Sequence, residues 1–104
     1  MASTFSVVLT FRARKDMDNI CIYMAERLSN PAAASRFSDG VTSSAKSLSS
    51  FPKRYRVRKK NRKGQEIRYM PFGNFVIMYY VDDASLTVNV IRVVYAGRNI
   101  DAMI

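Results

Sequence analysis

The stretch "FVIMYYVDDASLTVNVIRVVY", residues 75–95, decides the fold. Residues 75–81 are apolar on both sides of an extended chain, the pattern of a strand buried in the middle of a sheet. "DDAS", 82–85, is turn material. Residues 86–95 are the longest β-branched run in the chain and read as a strand returning beside the first. Upstream, "EIRYM" (66–70) alternates, and "PFGN" (71–74) has the composition of a turn. "RYRVR" (54–58) also alternates, with Tyr55 and Val57 on one side and Arg54, Arg56 and Arg58 on the other; "KKNRKG" (59–64) reads as a loop.

The period changes nearer the N-terminus. Met17, Ile20, Cys21, Met24 and Leu28 make one helical stripe, and Ala34, Phe37, Val41, Ala45 and Leu48 make another. "SNP" (29–31) ends the first helix, because the residue before a proline disfavours the α conformation. It also starts the second, with Asn30 as N-cap and Pro31 in the first turn. That helix should run to about Ser49, weakened at Gly40 by up to about 1 kcal/mol relative to alanine. "FSVVLT" (5–10) reads as a first strand, with Phe5, Val7 and Leu9 on one face.

The expected fold is α+β, in the order β-α-α-β-β-β. A helical hairpin packs on one face of a mainly antiparallel twisted sheet, and the other face is left partly open. The first strand adds at the edge or the centre. Arg92 interrupts an apolar strand, so it should face the open side or cover apolar surface with its stem. Ile100, Met103 and Ile104 suit a short tail that packs back.

The 104 residues make one domain, 1–104, and a hydrophobic fraction of 48% supports a core. A formal charge of +9 attracts polyanions, nucleic acid above all, although an acidic protein would satisfy the same field. Cys21 is the one cysteine, so no disulfide forms within the chain. No signal-peptide core and no run of about 18 apolar residues is present, which points to a cytoplasmic setting without membrane contact. No internal repeat is visible.

The order of elements and the segment "GQEIRYMPFGNFVIMYYVDDASLTVNVIRVVYAGRN" (64–99) resemble the RelE/ParE family, toxins of bacterial type II toxin–antitoxin pairs. "SNPAAASRF" (29–37) resembles the family's join between its two helices. The resemblance implies a growth-inhibiting toxin with a cognate acidic antitoxin as partner, in a homodimer or a hetero-oligomer, and no cofactor or metal. RelE-like members are mRNA interferases that cut mRNA in the ribosome; ParE-like members poison DNA gyrase. A non-toxic basic module that joins its antitoxin on DNA is a third reading.

Cleaving RNA through its 2′-OH takes a base, a cation for the phosphorane charge and an acid for the leaving oxygen. The chain has no histidine. Glu66 can serve as the base, set against the plainer reading of a solvated strand or ion-pair residue. On the resemblance, Arg68 matches the family's arginine strand, Arg98 the Gly-Arg near the end, and Tyr95 a position where several members carry histidine. Val76 stands where many members have an arginine. Arg56, Arg58, Lys59, Lys60, Arg62 and Lys63 make a phosphate-backbone clamp, set against the plain alternative of a solvated basic hairpin. The clamp would suit ribosomal RNA, and the leading expectation is a ribosome-dependent endoribonuclease, with gyrase poisoning as the alternative.

Overall fold

A computed structural model describes residues 4–97 and 100. Strand β1 (Ser6–Leu9) runs straight into helix α1 (Phe11–Ile22) through Thr10. The Thr10 hydroxyl oxygen accepts from the Ala13 N–H at 3.2 Å, capping the helix, and its O–H donates to the Val90 carbonyl at 2.9 Å. One side chain thus caps the helix and ties it to the sheet.

From Tyr23 to Arg27 the helix widens into a π-turn, with the Leu28 N–H bonded to the Tyr23 carbonyl. Wide turns shift the angular phase of everything after them. Ile20, Cys21 and Met24 therefore pack against the core as expected, but Leu28 is thrown outward and is 55% exposed. Ser29 takes a positive φ, Asn30 accepts from the Ala33 N–H, and α2 (Pro31–Lys46) begins at Pro31 as predicted. A 3-10 turn over Ser47–Ser49 extends α2 to the expected end.

A second 3-10 turn, Pro52–Arg54, follows Phe51, which sits in the left-handed region at φ 50°. Then come β2 (Val57–Lys60), β3 (Glu66–Phe72), β4 (Phe75–Asp82) and β5 (Thr87–Tyr95). Four strands follow the helices, one more than the expected order. The expected alternation at 54–58 is strand only from Val57, and Lys59 and Lys60, assigned to a loop, belong to that strand. The sheet order is β1-β5-β4-β3-β2. All neighbours are antiparallel except β1 and β5, which are parallel, with Val7 opposite Val88 and Leu9 opposite Val90.

The helices cover one face. Phe37, Val41 and Leu48 of the second helical segment meet Ile77, Tyr79, Val88, Val90 and Val93 in the main core. The opposite face is less open than expected. Ile67 and Met78 are fully buried there, Tyr69, Val76 and Val94 nearly so, and Tyr80, Ile91 and Ile100 pack on them. Met103 and Ile104, expected in the same tail, lie outside the described residues.

Two bulges break the ladder. In β5, Tyr79 is opposite Val90 and Met78 is opposite Arg92, so Ile91 is extra. In β2, Val57 is opposite Arg68 and Lys59 is opposite Ile67, so Arg58 is extra. An extra residue lets neighbouring side chains leave the strict alternation of a strand.

Candidate functional site

The bulge in β5 accounts for Arg92. Contrary to the expectation of an outward or stem-covering role, Arg92 turns to the helix side. Its Nε and Nη2 donate to the two carboxylate oxygens of Asp16 at 2.8 and 3.2 Å. Asp16 also accepts the Val93 N–H at 3.0 Å. Both side chains are only 11% exposed. Asp16 was missed by the periodicity reading, yet it lies three residues after Ala13 and four before Ile20, on the buried stripe. An acid on that stripe and an arginine in an apolar strand are together the signal of a pair.

Above this pair, α1 and its π-turn diverge from the sheet and leave a groove of about 800 Å³. Ile20, Tyr23, Met24, Leu28, Phe75 and Tyr95 give it apolar walls. Tyr23, Leu28 and Tyr95 are each more than half exposed. The Tyr95 ring meets Phe75 edge-on, at 5.9 Å between centroids.

The residues expected to cut RNA are spread out. Phe72 is opposite Phe75, which is opposite Tyr95. Glu66 opens β3 and Phe72 closes it, so Glu66 and Tyr95 stand about 20 Å apart along the sheet, at roughly 3.3 Å per residue. Glu66 is exposed and shares a hollow with Lys60, Asp82 and Asp83. Arg68 points to the helix side and donates from Nη1 to the Lys53 carbonyl at 3.2 Å and the Tyr55 carbonyl at 2.5 Å. Arg98 lies outside the described residues.

Arg68 is one part of a polar lock. The fully buried Tyr79 donates its O–H to the Pro52 carbonyl at 2.6 Å. Burial pushes the Tyr79 hydroxyl up to about 12, against a smaller lowering by Arg68 and Arg54. Arg54 donates to the carbonyls of Ser47, Ser50 and Phe51 and to the Ser47 hydroxyl. These three side chains bond carbonyls of the 47–55 connection, whose own backbone bonding is limited to short 3-10 turns. Side-chain periodicity does not reveal this role, because the partners are backbone carbonyls, which every residue carries.

The residues expected to bind nucleic acid are brought together. Arg58, Lys59, Lys60, Arg62 and Lys63 lie on one hairpin, β2–β3, and Arg56 immediately precedes it. Its tip is fixed by Asn61, whose side-chain oxygen accepts the N–H groups of Lys63 and Gln65 and whose amide donates to the Gln65 side chain at 2.7 Å. Gly64 takes the positive φ that closes the turn. Lys53, at the other end of the basic stretch, pairs with Asp83 at 2.6 Å. Among the described residues no group of histidine, cysteine or acids is placed to hold a metal ion, and no helix is long and apolar enough to cross a membrane.

Residues 7–100 match the model of the ParE toxin of the type II toxin–antitoxin system, parDE. The chain belongs to the ParE toxin family. The fold agrees with solved structures at low identity. The chromosomal ParDE toxin–antitoxin system of P. aeruginosa has a chain with a TM-score of 0.72 and 18% identity, over 90% of this chain and 98% of that one. The RelBE2 toxin–antitoxin complex of Mycobacterium tuberculosis gives 0.61 and 21%, over 88% and 91%. No curated protein sequence matches. The α+β architecture of this ParE family member is therefore that of RelE/ParE toxins, with a mixed sheet.

Proposed function

We propose that this ParE family member stops growth by occupying a target, DNA gyrase, rather than by cutting RNA, and that an antitoxin holds it inactive. The dispersal of the nuclease candidates carries this reading. Glu66 and Tyr95 are at opposite ends of the sheet, and Arg68 is engaged with the carbonyls of Lys53 and Tyr55. Acid and base must both reach one phosphodiester, within hydrogen-bond distance of its atoms. The groups at Glu66, Arg68 and Tyr95 support no such single centre. A stoichiometric inhibitor needs none.

The antitoxin reading is supported by the groove between α1 and the sheet. Exposed Tyr23, Leu28 and Tyr95 suit the apolar stripe of an amphipathic partner segment. The +9 charge favours an acidic one.

One observation favours the second reading, ribosome-dependent mRNA cleavage: the density of cations between Arg56 and Lys63 suits ribosomal RNA. The two are separated by inducing the protein without antitoxin. Gyrase poisoning gives DNA breaks and loss of supercoiling first, with transcripts intact. Cleaved mRNA confined to translated messages, with supercoiling unchanged, overturns the gyrase reading in favour of the nuclease.

A further inference from the structure

The β2–β3 hairpin is organised beyond what a solvated charge run requires. The bulge at Arg58 is the first sign. In an unbroken strand Arg58 would take the position opposite Ile67 and Lys59 would fall on the helix side. Instead Lys59 is opposite Ile67, and Arg58 also lies over the far face, its guanidinium 4.9 Å from the centre of the Tyr69 ring. Two consecutive cations thus share one face. The ring beneath Arg58 belongs to a residue only 6% exposed, packed with Ile67, Val76 and Met78. A guanidinium held over a fixed ring is restrained in position by cation–π attraction, and its planar fork of N–H donors is the group that grips phosphate oxygens in pairs.

Charge balance is the second sign. Among the described residues no acid pairs with Arg56, Arg58, Lys60, Arg62 or Lys63; the three ion pairs found involve Asp16 and Asp83. The Asn61 hydrogen bonds fix the tip that carries Arg62 and Lys63, so these cations project from an ordered turn.

We infer that the β2–β3 hairpin is a binding site for the phosphodiester backbone of a nucleic acid, with Arg58, held over the Tyr69 ring, as its anchor and Arg62 and Lys63 at its tip. An acidic peptide offers the same sign of charge, but the usual way for a peptide to join a sheet is as an added strand. β2 is the outer strand, and its bulge together with its Lys and Arg side chains spoils it as a template for pairing. A ligand held by its charges alone fits better. Contacts of this kind position a strand without reading its bases. The inference is independent of whether gyrase or the ribosome is the target.

The test is fluorescence anisotropy of the purified chain with labelled duplex DNA, single-stranded DNA, RNA and polyglutamate, over a salt series. Nucleic acid should bind, with affinity falling steeply as salt rises. Arg58→Ser with Arg62→Ser should lower the log–log salt slope by roughly two units, one for each lost contact. Removing two cations on the helix side, Arg27→Ser with Lys46→Ser, should leave the slope close to the parent's. Arg58→Lys keeps the charge; it should preserve the slope yet bind several-fold more weakly, through loss of the planar fork held over the Tyr69 ring. The DNA and RNA arms distinguish the two sources of the same backbone chemistry. Equal losses in the hairpin and helix-side variants would reduce the site to a diffuse field and overturn the inference. So would binding to polyglutamate alone, or an Arg58→Lys protein that binds as tightly as the parent.

Discussion

Asp16 and Arg92, 76 positions apart in the chain, form a two-pronged ion pair at 2.8 and 3.2 Å beneath the groove of this ParE family member. The same carboxylate accepts the Val93 N–H, so it joins α1 to β5 at the point where the bulge interrupts the ladder. Removing one partner leaves the other charge poorly solvated. Asp16→Ala should destabilise the fold by about 3 kcal/mol. Replacing both by apolar residues, Asp16→Leu with Arg92→Met, should cost less than the single change. Urea unfolding of the three proteins checks this order. A double variant less stable than Asp16→Ala would contradict it.

Gly40 looks in sequence like a weak point of α2, where alanine should help. The packing reverses this. A Cβ at Gly40 would lie 2.3 Å from Cζ of Phe72, a ring that also meets Phe37 edge-on at 6.1 Å. Gly40→Ala is expected to lower stability by about 1–2 kcal/mol, the usual scale of overpacking. Adding Phe72→Leu should recover part of the loss. Thermal melts of the single and double variants measure it.

Tyr79 makes the fold sensitive to alkali. Its hydroxyl ordinarily loses its proton near 10 and is pushed up to about 12 here, chiefly by burial. The folded state therefore holds the proton more tightly than the unfolded state. The associated stability is complete below about pH 10 and declines as pH rises towards 12. Tyr79→Phe should flatten that part of the pH profile. At neutral pH it should cost about 1–2 kcal/mol, because the Pro52 carbonyl loses its donor. Denaturant titrations of parent and variant at pH 7, 9.5 and 11 give both numbers.

Arg68 distinguishes support from chemistry. Its bonds to the Lys53 and Tyr55 carbonyls predict that Arg68→Ala loosens the connection into β2 and costs about 1–2 kcal/mol. At a temperature where the variant is folded, growth inhibition should persist. Melting temperature and a growth assay of the same variant check the two halves of the prediction. A variant as stable as the parent but harmless would return Arg68 to a direct functional role.

Local sequence carried a great deal. The Asn30 cap with Pro31, the stripe from Ala34 to Leu48, the buried β4 and the β4–β5 turn were all legible, because each depends on residues within a turn or two of one another. So was the gathering of the basic residues, since nearness in a hairpin follows from nearness in sequence. Tertiary structure decided which way the functional side chains face. The π-turn at Tyr23–Arg27 and the bulges at Arg58 and Ile91 each insert a residue into a regular repeat, and every side chain beyond the insertion changes phase. No local spacing announces these insertions, and the two bulges exist only in the pairing of neighbouring strands. The insertions turned Leu28 outward, brought Arg92 to Asp16 and laid Arg58 on Tyr69. Arg68 found its acceptors in backbone carbonyls, which side-chain patterns do not mark, and Glu66 and Tyr95 were separated by the length of the sheet, a distance that no spacing along the chain expresses.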